Sequence, residues 1–334
     1  MRRPRVIAAA LLALAIAAAR PAFADIAVRV QRPLDLVALP LIVMEHEHLI
    51  ERTAEAMGLG KVTVTWNAPG KADPIEALTA GQSDLAAVNL APFLLAADNT
   101  AVKPDEVRAL AALVRRPYVL VTRNPAIKTI RDFTAKDRIA VPALKISGPA
   151  LMLEMAAAQE WGIEHYDKLD PLVVARPDAD AAAALIAGKG DVDAHVSRTP
   201  YVDDELGDRS IHRVMDSFDI AGPHSAAVLA ATMRFQAANP ELCKAILSAL
   251  QAADDLIKQS PGEAAEMFAA AVKDESMSIE DLTDMVGDPD LSYTAAPAGV
   301  MRLADFMHRV GRLKRPPKTW QDLFLPAARD LAGN

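Results

Sequence analysis

Hydrophobic and polar positions along the chain follow two periods, and each change of period marks an element. Ile26, Val28 and Val30 alternate with more polar neighbours, as in a half-buried strand, and after the loop 32–39 a helix is predicted from Pro40 to about Met57. Val62, Val64 and Trp66 predict a second strand. Asp73-Pro74-Ile75-Glu76 then combines an N-cap, a proline in the first turn and a glutamate three residues on, and the helix it opens stops at Gly81. Residues 84–89 predict a buried strand, with Leu90, Ala91 and Pro92 leading into the next helix. Two β-rich runs, 107–114 and 118–122, flank Arg115, Arg116 and Pro117, and Asn124-Pro125 breaks the pattern at the expected first crossover between domains.

The second half begins the same way. Residues 139–141 predict a short buried strand, and Ser147 or Gly148 caps a helix that carries Pro149 in its first turn. Residues 172–175 predict a strand, Asp178 or Asp180 caps an alanine-rich helix through Ala187, and 191–196 predict the strand after it. The apolar run 225–233 is the strand expected to carry the chain back, and helices follow over 240–259, 261–272, 279–285 and 298–310. Residues 77–87, ALTAGQSDLAA, align without gaps to 184–194, ALIAGKGDVDA, at an offset of 107, and Pro40 and Glu45 match Pro149 and Glu154 at an offset of 109. Such a repeat predicts two similarly built α/β lobes.

The N-terminus departs from this plan. Arg2, Arg3 and Arg5 precede the apolar run 6–19, and Ala22-Phe23-Ala24 offers small residues at a cleavage position, so residues 1–24 are expected to be a secretory signal cut after Ala24. The run is shorter than the ~20 apolar residues that a membrane anchor needs. Removing its four arginines from the 36 basic residues leaves 32 against 44 acidic ones, a formal net charge of −12, which excludes nucleic acid as an expected partner. Cys243 is the one cysteine, so no intrachain disulfide can form.

In open parallel sheets ligands bind beyond the carboxyl ends of the strands. The first lobe would offer Leu36, Asn89 and Leu90; the second would offer Lys145, Ser147, Gly148, His195, Ser197 and Arg198; Ser225 precedes the return strand. An anionic group would be held by the N–H groups at Ser147 and Gly148 and by the helix dipole, with a forked contact from Arg198 and a point charge from Lys145. Asn89 could contact the solute or cap the next helix. Phe93, Tyr118 and Tyr201 could form an apolar wall. Glu45-His46-Glu47-His48 suggests a metal site, but on a helix positions i and i+2 diverge, so a solvated face is expected. The basic string Arg309, Arg312, Lys314, Arg315 and Lys318 reads as a solvated turn, or else a docking surface. No metal, cofactor or catalytic residue is expected.

The signal, LPLIVMEHEHLIE after the first strand, EALTAGQSDLAAVN, the run 123–157 and the C-terminal ADFMHRVGRLKRPPKTWQDLF together resemble the periplasmic solute-binding proteins of ABC transporters in the nitrate, sulfonate, taurine and bicarbonate family. The resemblance implies a type II periplasmic binding fold: two α/β lobes around a ligand cleft, two crossover strands and a helical C-terminal segment. Lobe I would comprise 25–123 and 230–334, and lobe II 124–229. It implies a monomer that closes over a small, anionic solute and delivers it to a permease and its ATPase. The alternatives are a periplasmic sensor subunit and an enzyme akin to the thiamine-pyrimidine synthases; the latter are cytosolic and carry a cysteine-rich motif that this chain lacks.

Overall fold

The computed structural model of the chain describes residues 25–67, 73–188, 190–273 and 277–334; the expected signal, 1–24, lies outside them, as does Lys189 of the second repeat copy. The alternating start of the chain becomes β1 (Ile26–Gln31), parallel to β2 (Val62–Asn67) and β3 (Leu85–Asn89). The helix expected over 40–57 is two helices, α1 (Leu39–His46) and α2 (Leu49–Ala56), because His48 takes a left-handed backbone, φ 51°. This break separates His46 from His48, and His46 Nδ1 lies 2.9 Å from Glu47 Oε1 at the surface. Asp73 caps α3 (Pro74–Thr79) as expected, accepting from the Ile75 and Glu76 N–H groups at 2.8 and 3.3 Å. β3 runs directly into α4 (Leu90–Thr100).

The first crossover comes earlier than Asn124-Pro125. β4 (Val107–Arg115) ends where Pro117, which has no N–H, cannot extend a ladder. β5 (Val119–Thr122) then pairs with β8 (Ala194–Ser197) and β9 (His212–Asp216), so residues 119–122, expected in lobe I, run in the second sheet. That sheet also holds β6 (Ile139–Val141) and β7 (Val173–Ala175), in the order β7-β6-β8-β5-β9. Its helices are α5 (Gly148–Trp161), α6 (Asp178–Ala187), α7 (Tyr201–Gly207) and α8 (Ser217–Ala221). Neither Asp178 nor Asp180 caps α6; Pro177 holds that position, and the Asp178 carboxylate is turned to His195 and Arg198.

β10 (Ser225–Thr232) lies in the first sheet from its first residue, so the return precedes 225 rather than falling at 229/230. All eight of its residues are buried, and it runs antiparallel to both β3 and β4. With β11 (Ser292–Tyr293) the order is β11-β4-β10-β3-β1-β2. After α9 (Met233–Ala238), the long helix α10 (Pro240–Gln259) buries Leu242, Ile246, Ala249, Leu250, Ala253 and Ile257, one stripe at helical spacing, against α1 and α2. Cys243 lies in the same stripe, where burial pushes its thiol up to about 12. Then come α11 (Pro261–Val272), α12 (Ile279–Val286) and α13 (Val300–Arg309), so the C-terminal quarter is helical, as expected.

Candidate functional site

The registers bring one edge of each sheet to the same seam. β1 and β3 end there at Gln31 and Asn89, and the antiparallel strands meet that edge through Asn89 opposite Ala227 and Arg115 opposite Ser225. In the second sheet Val119 pairs with both Ser197 and Asp216, so β8 and β9 end where β5 begins. Both crossovers, 116–118 and 217–224, therefore lie at the seam. A cavity of about 670 Å³ opens beside them, lined by Asp35 and Leu36 from the first sheet's loops and by Arg198, Pro200 and Tyr201 from the second. α11 and α12 add Phe268, Val272 and Met285 as an apolar wall.

Arg198 is held from behind. Its Nε donates to Asp178 Oδ2 at 2.7 Å, and Asp178 Oδ1 lies 3.3 Å from His195 Nε2, whose ring turns Nδ1 to Glu205 Oε1 at 2.7 Å. Burial opposes the charge on His195, but Asp178 and Glu205 outweigh it and raise the imidazole above its ordinary value. Burial likewise opposes the Arg198 charge, and Asp178 and Asp35 outweigh it. Across the seam Arg198 Nη2 comes within 3.8 Å of Asp35 Oδ2, an ion pair that ties the two sides of the cavity directly. Asp35 is fixed in turn by capping the turn at 36–38, accepting from the Val37 N–H at 3.1 Å.

On the crossover itself, Tyr118 lays its ring over the N-terminus of α5: a Cβ added at Gly148 would stand 2.5 Å from the phenol oxygen. His224 stacks on Tyr118 with centroids 5.7 Å apart, and burial lowers its pKa to about 4. Arg116, two residues before Tyr118, is 2% exposed, and burial followed by the Arg198 charge lowers it to about 10.

The NMT1-like family model matches residues 35–272, most of the chain, beginning at the Asp35 of the cavity. The chain belongs to the NMT1-like family. Its fold is that of the periplasmic binding proteins. The periplasmic aliphatic sulphonate binding protein SsuA from Escherichia coli is 18% identical with a TM-score of 0.67, over 90% of this chain and 92% of that one. The alkanesulfonate-binding protein SsuA from Xanthomonas axonopodis pv. citri, bound to MOPS, is 19% identical with a TM-score of 0.65, over 90% and 97%. The periplasmic nitrate-binding protein NrtA from Synechocystis PCC 6803 is 14% identical with a TM-score of 0.63, over 89% and 84%. No curated protein matches the chain in sequence.

In this NMT1-like protein, Leu36, Arg198 and Tyr201 line the cavity. Asn89 lines a neighbouring cavity of about 280 Å³ together with Asp35 and Val37, and its side chain makes no capping bond to α4. Leu90 and Phe93 are core, 2% and 0% exposed, since burying such a side chain contributes about 1.5–3 kcal/mol that a cleft wall would forgo. Lys145 points out to solvent, 3.7 Å from Asp170. The Ser147 hydroxyl is already used, accepting from the Ala150 N–H at 3.3 Å and donating to the Ala143 carbonyl at 2.6 Å, and Tyr118 covers Gly148. His195 and Ser197 are fully buried behind Arg198, and Ser225 holds the Ala298 N–H at 3.1 Å within the first lobe. Of the basic string, Arg312 pairs with Glu154 of α5 at 2.5 Å and ties the lobes at their far side, while the Lys314 and Arg315 N–H groups bind Asp98. Among the described residues no group of three or more His, Cys, Asp or Glu could hold a metal, and no helix is long and apolar enough to cross a membrane. Asp35, Arg116, Tyr118 as a lid, Asp178 and His224 were not singled out as solute contacts; the two arginines before Pro117, between two β-rich runs, were the available signal.

Proposed function

We propose that this protein is the periplasmic solute-binding component of an ABC importer, secreted by cleavage after Ala24, that captures one small solute between its lobes as a monomer and delivers it to a permease. The observation that carries this reading is the cavity at the seam, with Asp35 and Leu36 on one side and Arg198 and Tyr201 on the other. A solute that touches both sides only when they are closed binds the closed state better, and that difference in affinity drives closure. The solute carries an anionic group. The cation Arg198 in the cavity supports this, as does the fold shared with proteins that bind sulfonates and nitrate. Binding and release are the whole cycle; the chain performs no reaction.

The test is a thermal-shift screen of the purified protein against nitrate, bicarbonate, taurine, alkanesulfonates and neutral pyrimidines, with small-angle scattering on any hit. A ligand that binds the folded state alone raises the melting temperature by mass action, and closure reduces the radius of gyration. A ligand that raises the melting temperature while leaving the scattering curve unchanged would refute capture by closure.

A further inference from the structure

Arg116 carries a charge that has no counter-ion at contact distance among the described residues. Of its five N–H donors, one has a protein partner among the described residues, Nη1 on the Thr199 carbonyl at 3.3 Å, and the buried Nε has none. The acids nearest the cavity floor, Asp35 and Asp178, are engaged by Arg198. A second buried donor near it is also unpartnered, the Tyr293 hydroxyl, which acts on Arg116 electrostatically. β11 pairs Ser292 with Arg115 and Tyr293 with Val114, so Arg115 stays on the Ser292 face, donating to its hydroxyl at 3.1 Å, and Tyr293 lies on the opposite face with Val114. Arg115 and Tyr293 line a second cavity of about 860 Å³ that shares Asp288 with the first. The charges acting on Arg116 come from both cavities, Arg198 and Asp35 of the first and Tyr293 of the second.

Buried donors without acceptors, and a buried cation without an anion, are strongly unfavourable unless something supplies the missing partner. We propose that Arg116, rather than the N-terminus of α5, receives the anionic group of the solute, with the Tyr293 hydroxyl completing its hydrogen bonds. This rests on the solute-capture reading above. Arg116 stands on the passage from one sheet to the other, so parting of the lobes uncovers it and closure buries it with its ligand. Arg198, already paired with Asp178, is a positioning residue that closes over the solute. The phenol oxygen of Tyr118, which covers Gly148, turns the bound group away from the helix and toward the crossover.

The experiment compares the wild type with Arg116→Met and Arg116→Lys by thermal shift, with sodium ethanesulfonate, nitrate and sulfate as probes against chloride at matched ionic strength, and a neutral pyrimidine as control. At least one anion should stabilise the wild type saturably; Arg116→Met should weaken that anion by roughly 30-fold or more, and Arg116→Lys by less. Without ligand, Arg116→Met should melt at or above the wild-type temperature, because an apolar chain of similar length replaces an unpaired buried charge. A clear fall in the unliganded melting temperature would make the guanidinium a structural strut and overturn the assignment. Equal stabilisation of wild type and Arg116→Met by the anion would overturn it too, and so would stabilisation by the pyrimidine alone; both leave solute capture standing. No shift with any probe would overturn the assignment and the capture reading together.

Discussion

The Ser217 hydroxyl accepts the Tyr118 N–H at 2.8 Å and lies 2.9 Å from His224 Nε2. Burial holds the His224 pKa down at about 4 against an ordinary 6.5, so the ring is neutral in the folded protein near neutral pH. Because the folded value is depressed, the unfolded chain takes up the proton first as pH falls. The stabilisation is complete above 6.5 and is lost between 6.5 and about 4, a span worth about 3 kcal/mol at ~1.36 kcal/mol per unit. His224→Gln should therefore show a flatter fall of stability than the wild type between neutral and acid pH. Urea unfolding of both proteins across that range measures it, and parallel curves would show that His224 does not titrate as its surroundings require. The same ring packs between Tyr118 and Phe218 on the two crossovers, so acid should loosen the seam before it loosens either core.

At the scale of elements, the start of α5 was readable from Ser147-Gly148-Pro149, and the structure keeps Ser147 as its cap. Its use was not readable, because the residue that covers it, Tyr118, arrives from thirty positions earlier through the crossover. Gly148→Ala would drive a methyl to 2.5 Å from the Tyr118 oxygen. Overpacking of that kind costs about 1–3 kcal/mol, and Tyr118→Ala should reduce the cost in the double variant because the clash has one named partner. A double-mutant cycle by urea unfolding decides this; additive costs would mean that the backbone of α5, not the ring, rejects the methyl. The same lesson holds for the rest of the chain. Elements with a clear period, such as β1, β2, β10 and α10, match their expected bounds to within a residue or two. The break at His48 and the short strands β9 and β11 were not, because their conformations are set by partners in space. The role of Arg116 is illegible for the same reason: nothing local in Arg115-Arg116-Pro117 shows that the sheets on either side bury the second arginine.

At the scale of the whole molecule, the charges are arranged in depth. Arg198 lines the cavity and Arg116 is buried on the crossover, whereas the exposed part of the lining carries Asp203 and Asp204 from α7 and Asp281, Asp284 and Asp288 from α12 and the turn after it. Burial and then the charge of Asp288 raise the Asp203 carboxyl, which shows that the two rows act on each other across the opening. An anion approaching this net-acidic protein therefore meets repulsion at the mouth and attraction beneath it. Salt separates the two, because exposed carboxylates are screened over a Debye length of ~10 Å at 0.1 M and the buried arginines far less. Association of an anionic solute should thus speed up as salt rises from about 0.02 to 0.5 M, opposite to the usual steered encounter, while its dissociation changes little. Stopped-flow binding across that range tests the arrangement, and Asp203→Asn with Asp284→Asn should remove most of the acceleration. An association rate that falls with salt would mean that the two arginines are felt outside the mouth, and that the acidic rim stands open wider than the cavity in the unliganded protein.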